Sequence, residues 1–205
     1  MIYYLNSFVG YNAIKHYLRL LHELLRFTEC KIKIFDDEMD NVYNIIKSLN
    51  NIIDRSLDSD IVEVLDVNKI IYAMNTTQKI ANETSFIIYK IIESMKYLLQ
   101  YMMKYGKTYS DHIVCVENST SEAESTSNLI HDDCIETNQV CDNAIMYASD
   151  DYEVAIVKAF DAIAKTSHGI NHMNSVLNIS FSVVKEVEYM LEKISLDIIK
   201  YYPVQ

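Results

Sequence analysis

The sequence predicts an all-α protein, an elongated helical bundle, on three observations. Half of its 205 residues are apolar. Only three Gly and one Pro punctuate the chain, too few for the many reversals of an all-β fold. Apolar residues recur at alternating spacings of three and four over two long stretches, the signature of heptad-patterned helices. A chain of this length fits one domain, so residues 1–205 are expected to form a single helical domain.

The first element is an amphipathic helix from about Tyr11 to Thr28. Tyr11, Ile14, Leu18, Leu21 and Leu25 share one face, and Lys15, Arg19, His22 and Arg26 lie elsewhere. Cys30-Lys31-Ile32-Lys33-Ile34-Phe35 then alternates polar and apolar residues. A lone short strand has no partner, so the segment reads as an extended connector. Asp36, Asp37, Glu38 and Asp40 favour a helix start, and Met39, Val42, Ile46, Leu49 and Ile53 supply the buried stripe of a second short helix ending near Ser56.

After a break at Asp58-Ser59-Asp60, the seam Val64, Val67, Ile71, Met74, Gln78, Ala81, Ser85, Ile88, Ile92, Met95, Leu99 and Met102 predicts a helix of some forty residues. Gly106 is the expected C′ residue. Gln78 and Ser85 sit at seam positions, where buried polar residues set register or oligomeric state. Asn75, Thr76, Thr77, Asn82, Thr84 and Ser85 are mediocre helix formers, and a kink or break is expected near Asn82 to Ser85.

Residues 108–148 are rich in Ser, Thr, Asn, Asp and Glu and read as a long, acidic, mobile loop. From Thr108 to Val157 there are eleven carboxylates and no Lys or Arg, so this window equals the net charge of the whole chain, −11. A second long helix follows. Ser149 and Asp150 are its candidate N-caps, its seam runs from Ile156 to Tyr201, and Pro203 comes just beyond. His168-Gly169 interrupts it. The two long helices are expected to form an antiparallel hairpin with Ser85 opposite Ile170 and a softened waist beside His168 to His172. The acidic loop and the neighbouring helix ends are the expected functional surface.

Several functions are excluded or narrowed by what these residues can do. No run approaches the roughly 20 apolar residues that span a bilayer, and Met1-Ile2-Tyr3-Tyr4-Leu5 leading into Asn6 and Ser7 lacks the pattern of a secretory leader, so classical secretion is not expected. A soluble protein is expected, cytoplasmic or delivered into a host cell by a route the sequence does not display. Abundant Ile, Asn and Tyr suggest an AT-rich genome, viral or microbial. Cys30, Cys115, Cys134 and Cys141 are too sparse for a disulfide scaffold and are expected as thiols. Three glycines at 10, 106 and 169 cannot build a phosphate loop, a nucleophile elbow or a dinucleotide fingerprint. The acidic balance repels nucleic acid.

The metal-binding candidate is His112, Cys115, His131 and Cys134. Two His-x-x-Cys pairs flank fifteen residues, and Zn²⁺ accepts two imidazoles and two thiolates. Without these ligands no cofactor is implied. His168 and His172 stand four apart as metal-binding pairs on helices do, but Gly169 and Asn171 take the place of a zinc protease's Glu. His16 and His22 carry no pattern that points to catalysis. The expected function is therefore a non-catalytic helical protein that binds a protein partner, an effector of a virus or intracellular microbe. The alternatives are a structural component self-associating as a homo-oligomer, and a small zinc-binding domain. The Tyr-rich edges Tyr97, Tyr101, Tyr105, Tyr201 and Tyr202 suit an interface.

Overall fold

The computed structural model describes residues 2–58 and 66–201, with the side chains of 2–8, 56–58, 107 and 201 left aside. The protein is an all-α four-helix bundle in which four long helices pack together. They are α1 (Ile2–Asp58), α2 (Val67–Tyr105), α3 (Ser110–Tyr147) and α4 (Tyr152–Tyr201), with a single 3₁₀ turn at Lys107–Tyr109. Val64, Tyr202, Pro203 and the Ser59-Asp60 part of the expected break lie outside the described residues.

Two expected short helices are one. The connector expected at residues 30–35 is helical, and the buried row Thr28, Ile32, Phe35, Met39, Val42, Ile46, Leu49 runs through it at unbroken three-four spacing. Strand-like alternation would place Ile32 and Ile34 on one face. The protein instead buries Ile32 and Phe35 and leaves Ile34 about half exposed, at 48%.

The expected loop at 108–148 is also a helix. Its seam, Ile113, Val116, Thr120, Ala123, Ile130, Cys134, Thr137, Cys141, Ala144 and Ala148, is buried. Small and hydroxyl-bearing side chains fill most of these places, so the stripe is faint by hydropathy although its period is helical. The acidic residues Asp111, Glu117, Glu122, Asp132 and Asp142 accordingly lie on the exposed side of α3 rather than on a loop.

Both long helices foreseen from the heptads are present, and neither breaks. α2 is continuous through Asn82 to Ser85, and α4 is continuous through His168-Gly169. Helix propensity is a weak preference that packing overrides. Met74, Ala81, Ile88, Ile92, Met95 and Met102 of the expected α2 seam are buried, and the buried face extends beyond it on the side of the preceding residues. Thr77, Thr84, Ile91 and Leu98 are buried, whereas Gln78, Ser85 and Leu99 are only half-buried.

The ends of these helices are set by local chemistry. Asp66 caps α2, its Oδ1 accepting from the Asn68 amide at 3.1 Å. Asp151, one residue beyond the expected caps, accepts from the Val154 amide at 3.1 Å and opens α4. Gly106 ends α2 at φ −103° rather than in the left-handed region. Its value lies in close approach, because a Cβ there would come within 2.8 Å of the Met102 carbonyl oxygen.

Backbone contacts divide the chain into two compact units, the first holding residues 1–29, 87–127 and 175–205, the second 30–86 and 128–174. In the first unit, Ile14, Leu21 and Leu25 of α1 share a core with Ile88, Ile91, Met95 and Leu98 of α2, Val116 of α3, and Val176, Val187 and Met190 of α4. Ser180 points into it beside Met95, Oγ to Sδ 3.2 Å. Tyr17 stacks on Tyr101, ring centroids 4.5 Å apart, and Tyr101 on Tyr105 at 6.2 Å.

In the second unit the seams are complementary in size. Phe35, Met39, Ile46 and Leu49 of α1 and Ile70, Met74 and Ile80 of α2 are large, whereas Cys141, Ala144 and Ala148 of α3 and Ala155, Ala159 and Ala162 of α4 are small. Alternating sizes let layers interdigitate at native density.

The same unit corrects the expected hairpin. Gln78 meets Asp142 and Asn82 meets Asn138, so α2 is antiparallel to α3. Lys165 meets Glu136 and His168 meets Asp133, so α3 is antiparallel to α4. Helices α2 and α4 therefore run parallel, and Ser85 opposite Ile170 is not an antiparallel register pair. The up-down alternation follows from short connections, which force consecutive helices to be antiparallel.

Polar side chains in these cores are satisfied locally. Thr28, Thr77, Thr120, Thr166 and Ser180 each donate to the carbonyl four residues earlier, at 2.7 to 2.9 Å. Thr84 and Thr137 are the exceptions, with buried hydroxyls that lack a partner. Both line a crevice of about 10 Å³ in the second unit, with Ala81, Ile130 and Gly169. That volume is at the lower limit for one water molecule.

Candidate functional site

Each unit holds one histidine centre, and the first also holds a groove. In the first unit α3 presents His112 toward α4, where Glu186, Tyr189 and Lys193 recur at spacings of three and four and so share a face. His112 Nδ1 lies 2.6 Å from Glu186 Oε1, and Lys193 Nζ lies 3.1 Å from Nε2. An ammonium only donates, so Nε2 accepts and Nδ1 carries the hydrogen given to Glu186. The edge of the imidazole meets the Tyr189 ring at a centroid distance of 5.5 Å. One turn away Tyr109 donates to Asp197 Oδ2 at 2.7 Å. Burial, then the aspartate hydrogen bond, pushes the Tyr109 phenol up to about 12.

The groove lies between the N-terminal part of α1 and the C-terminal part of α4, with a volume of about 720 Å³. Leu18 and Leu191 form its nearly buried floor. Lys15 stands on the α1 wall, and Glu188 and Glu192 stand one turn apart on the α4 wall. Leu196 lines the rim at 66% exposure.

In the second unit a polar row joins α2 to α3. Gln78 donates to Asp142 at 2.7 Å, Asn138 donates to Asn82 at 3.0 Å, and the Cys134 thiol donates to Asn82 Oδ1 at 3.4 Å. Gln78, Asn82 and Asn138 flank the seam, to which Cys134 belongs. On the α4 side of α3, Asp133 Oδ2 lies 3.1 Å from His168 Nδ1 and 3.9 Å from His172 Nδ1. The two imidazoles lie with their centroids 4.1 Å apart and their planes tilted by 58°. Lys165, one turn before His168, binds Glu136 at 3.0 Å, and this contact raises its ammonium above the ordinary lysine range.

The four metal ligands expected from the sequence have other surroundings. His112 and Cys115 belong to the first unit, His131 and Cys134 to the second. A finger-like site needs loops that turn their ligands inward, and here all four residues are on a helix. His112 is held by Glu186 and Lys193, Cys115 and His131 are exposed, and Cys134 is buried against Asn82. Burial raises the Cys134 thiol above the ordinary range.

The structure brings together Asp133, His168 and His172 instead, with ligand atoms all within 4.8 Å of one another. The i, i+4 spacing of the histidines was visible in the sequence. Asp133 was not, because its place depends on α3 being a helix in register with α4. His16 stands edge-on to Tyr17, and His22 to Phe181. No described helix is long and apolar enough to cross a membrane. Comparison with protein-family models, with curated proteins and with solved structures found no match.

Proposed function

We propose that this chain is a non-catalytic helical interaction protein, whose first unit receives an amphipathic helix of a protein partner along the α1/α4 groove. The observation that carries this reading is the groove itself, a leucine-floored channel of about 720 Å³ bounded by two helices. Such channels accept the apolar face of a further helix, with anchors at i, i+3, i+4 and i+7. Charge selects among such helices. Glu188 and Glu192 outnumber Lys15 on the walls, so the partner helix carries Lys or Arg beside its apolar stripe. The mutual pairing of His112, Glu186 and Lys193 supports a structural role for the polar cluster nearby.

The test is titration of the full chain into labelled leucine-striped helical peptides, one set flanked by Lys and one by Glu. The expected result is saturable binding of the Lys set, at least about tenfold weaker binding of the Glu set, and loss of binding in Leu196→Glu, which leaves the core untouched. Equal binding of both sets, or binding indifferent to Leu196→Glu, overturns the reading. Sedimentation separates the alternative occupant. A dimer dispersed by Leu196→Glu assigns the groove to a second copy of this chain and replaces the partner with self-association.

A further inference from the structure

We propose that Asp133, His168 and His172 bind one divalent transition-metal ion of the zinc class, with at least one coordination position open to solvent. Two features of the second unit build the site. On α4 the i, i+4 spacing puts both imidazoles on one face, their centroids 4.1 Å apart. From α3, Asp133 reaches between them, Oδ2 at 3.1 Å from one Nδ1 and 3.9 Å from the other.

The longer distance is informative. At 3.9 Å no hydrogen bond joins His172 to Asp133, and His172 Nδ1 is buried with no hydrogen-bond partner. A buried ring nitrogen left unmade is costly. Two ligands on a tetrahedral ion with bonds of about 2.1 Å stand about 3.4 Å apart. The three ligand atoms already lie within 4.8 Å of one another, close to that spacing. An ion there would satisfy both the orphaned nitrogen and the carboxylate.

Electrostatics and access are consistent with this. Lys165 is a nearby cation whose charge is engaged chiefly by Glu136 at 3.0 Å and also by Asp161 at 3.9 Å, with Asp133 the smallest contributor. The His168 side chain is 60% exposed, so the ion can enter from solvent and keep a water or an anion as its remaining ligand. Three nitrogen and oxygen ligands without a thiolate suit zinc, cobalt or nickel better than copper(I) or cadmium-like soft ions. Bound there, the ion ties α3 to α4.

The experiment titrates Co²⁺, then Zn²⁺, into the metal-free full chain, reading the visible absorption of cobalt and its displacement by zinc. One ion per chain is expected, together with a rise in melting temperature on adding Zn²⁺. His172→Ala and Asp133→Asn each raise the dissociation constant at least about tenfold, while His131→Ala, an exposed histidine on the same helix, leaves it unchanged. Circular dichroism of each variant separates loss of ligand from loss of fold, and His172→Gln replaces any variant that unfolds. Absence of a cobalt spectrum, binding that survives both ligand variants, or binding lost in His131→Ala overturns the proposal.

Discussion

His112 Nδ1 lies 2.6 Å from Glu186 Oε1, a link from α3 to α4 that holds the imidazole in one orientation for Lys193 on its far side. A half-buried hydrogen bond to a charged group contributes about 1.5–3 kcal/mol. His112→Ala should therefore lower the unfolding free energy by about 2 kcal/mol in urea titration. Nitrogen chemical shifts of the ring should report hydrogen on Nδ1 and a lone pair on Nε2.

Two glycines should respond oppositely to alanine. Gly169 is inside α4, and a Cβ there meets nothing within 4 Å. Gly169→Ala removes backbone freedom from the unfolded chain and should stabilise by about 0.5–1 kcal/mol. At Gly10 a Cβ would fall 2.5 Å from Tyr105 Cβ, so Gly10→Ala must displace a stacked ring. A loss of about 1–3 kcal/mol is expected. Thermal melts of both variants check the pair.

The four thiols should separate into two classes. Cys30 and Cys115 are exposed, while Cys134 and Cys141 are buried in the α3 seam. Burial raises Cys134 above the ordinary thiol range and pushes Cys141 up to about 12. The thiolate is the nucleophile, so alkylation of the folded protein at neutral pH should label two residues quickly and the other two only on unfolding. Mass spectrometry of a timed quench reads this directly.

Alkali should destabilise the protein from the pH of ordinary thiol and tyrosine ionisation upward. Burial pushes Tyr109, Tyr152 and Cys141 up to about 12 from unfolded values of 10.0, 10.0 and 9.0. Each raised acid contributes stability that is complete below its unfolded value and is lost as pH rises toward 12, because the unfolded chain releases its proton first. Stability should be level to about pH 9 and decline above it. Tyr109→Phe should flatten that decline, as followed by circular dichroism against pH.

What could be read from residues alone depended on how apolar each seam is. The α2 and α4 stripes, dense in Ile, Met, Leu and Val, announced themselves. Residues 30–35 misled because two-residue and helical periods overlap over so short a stretch, and the exposed Ile34 completed a false alternation. α3 was hidden for a different reason. Its seam is mostly Thr, Ala and Cys, small side chains that depend for burial on large neighbours. The decisive signal was its helical spacing with no Gly or Pro from 107 to 168. The Asp133 centre inherited that omission, since only the α3–α4 register delivers the carboxylate to the histidines.

The thin seam of α3 has a consequence for the order in which the molecule assembles. With small side chains along its buried edge and repelling carboxylates outside, α3 contributes little cohesion of its own, and an isolated segment of this composition would remain coil in water. Its helicity is conferred by the surfaces it settles against. In folding it should therefore be the late arrival, acquiring its shape after α1, α2 and α4 have collected their bulky faces, and in the native protein its amides should be the first to open and exchange.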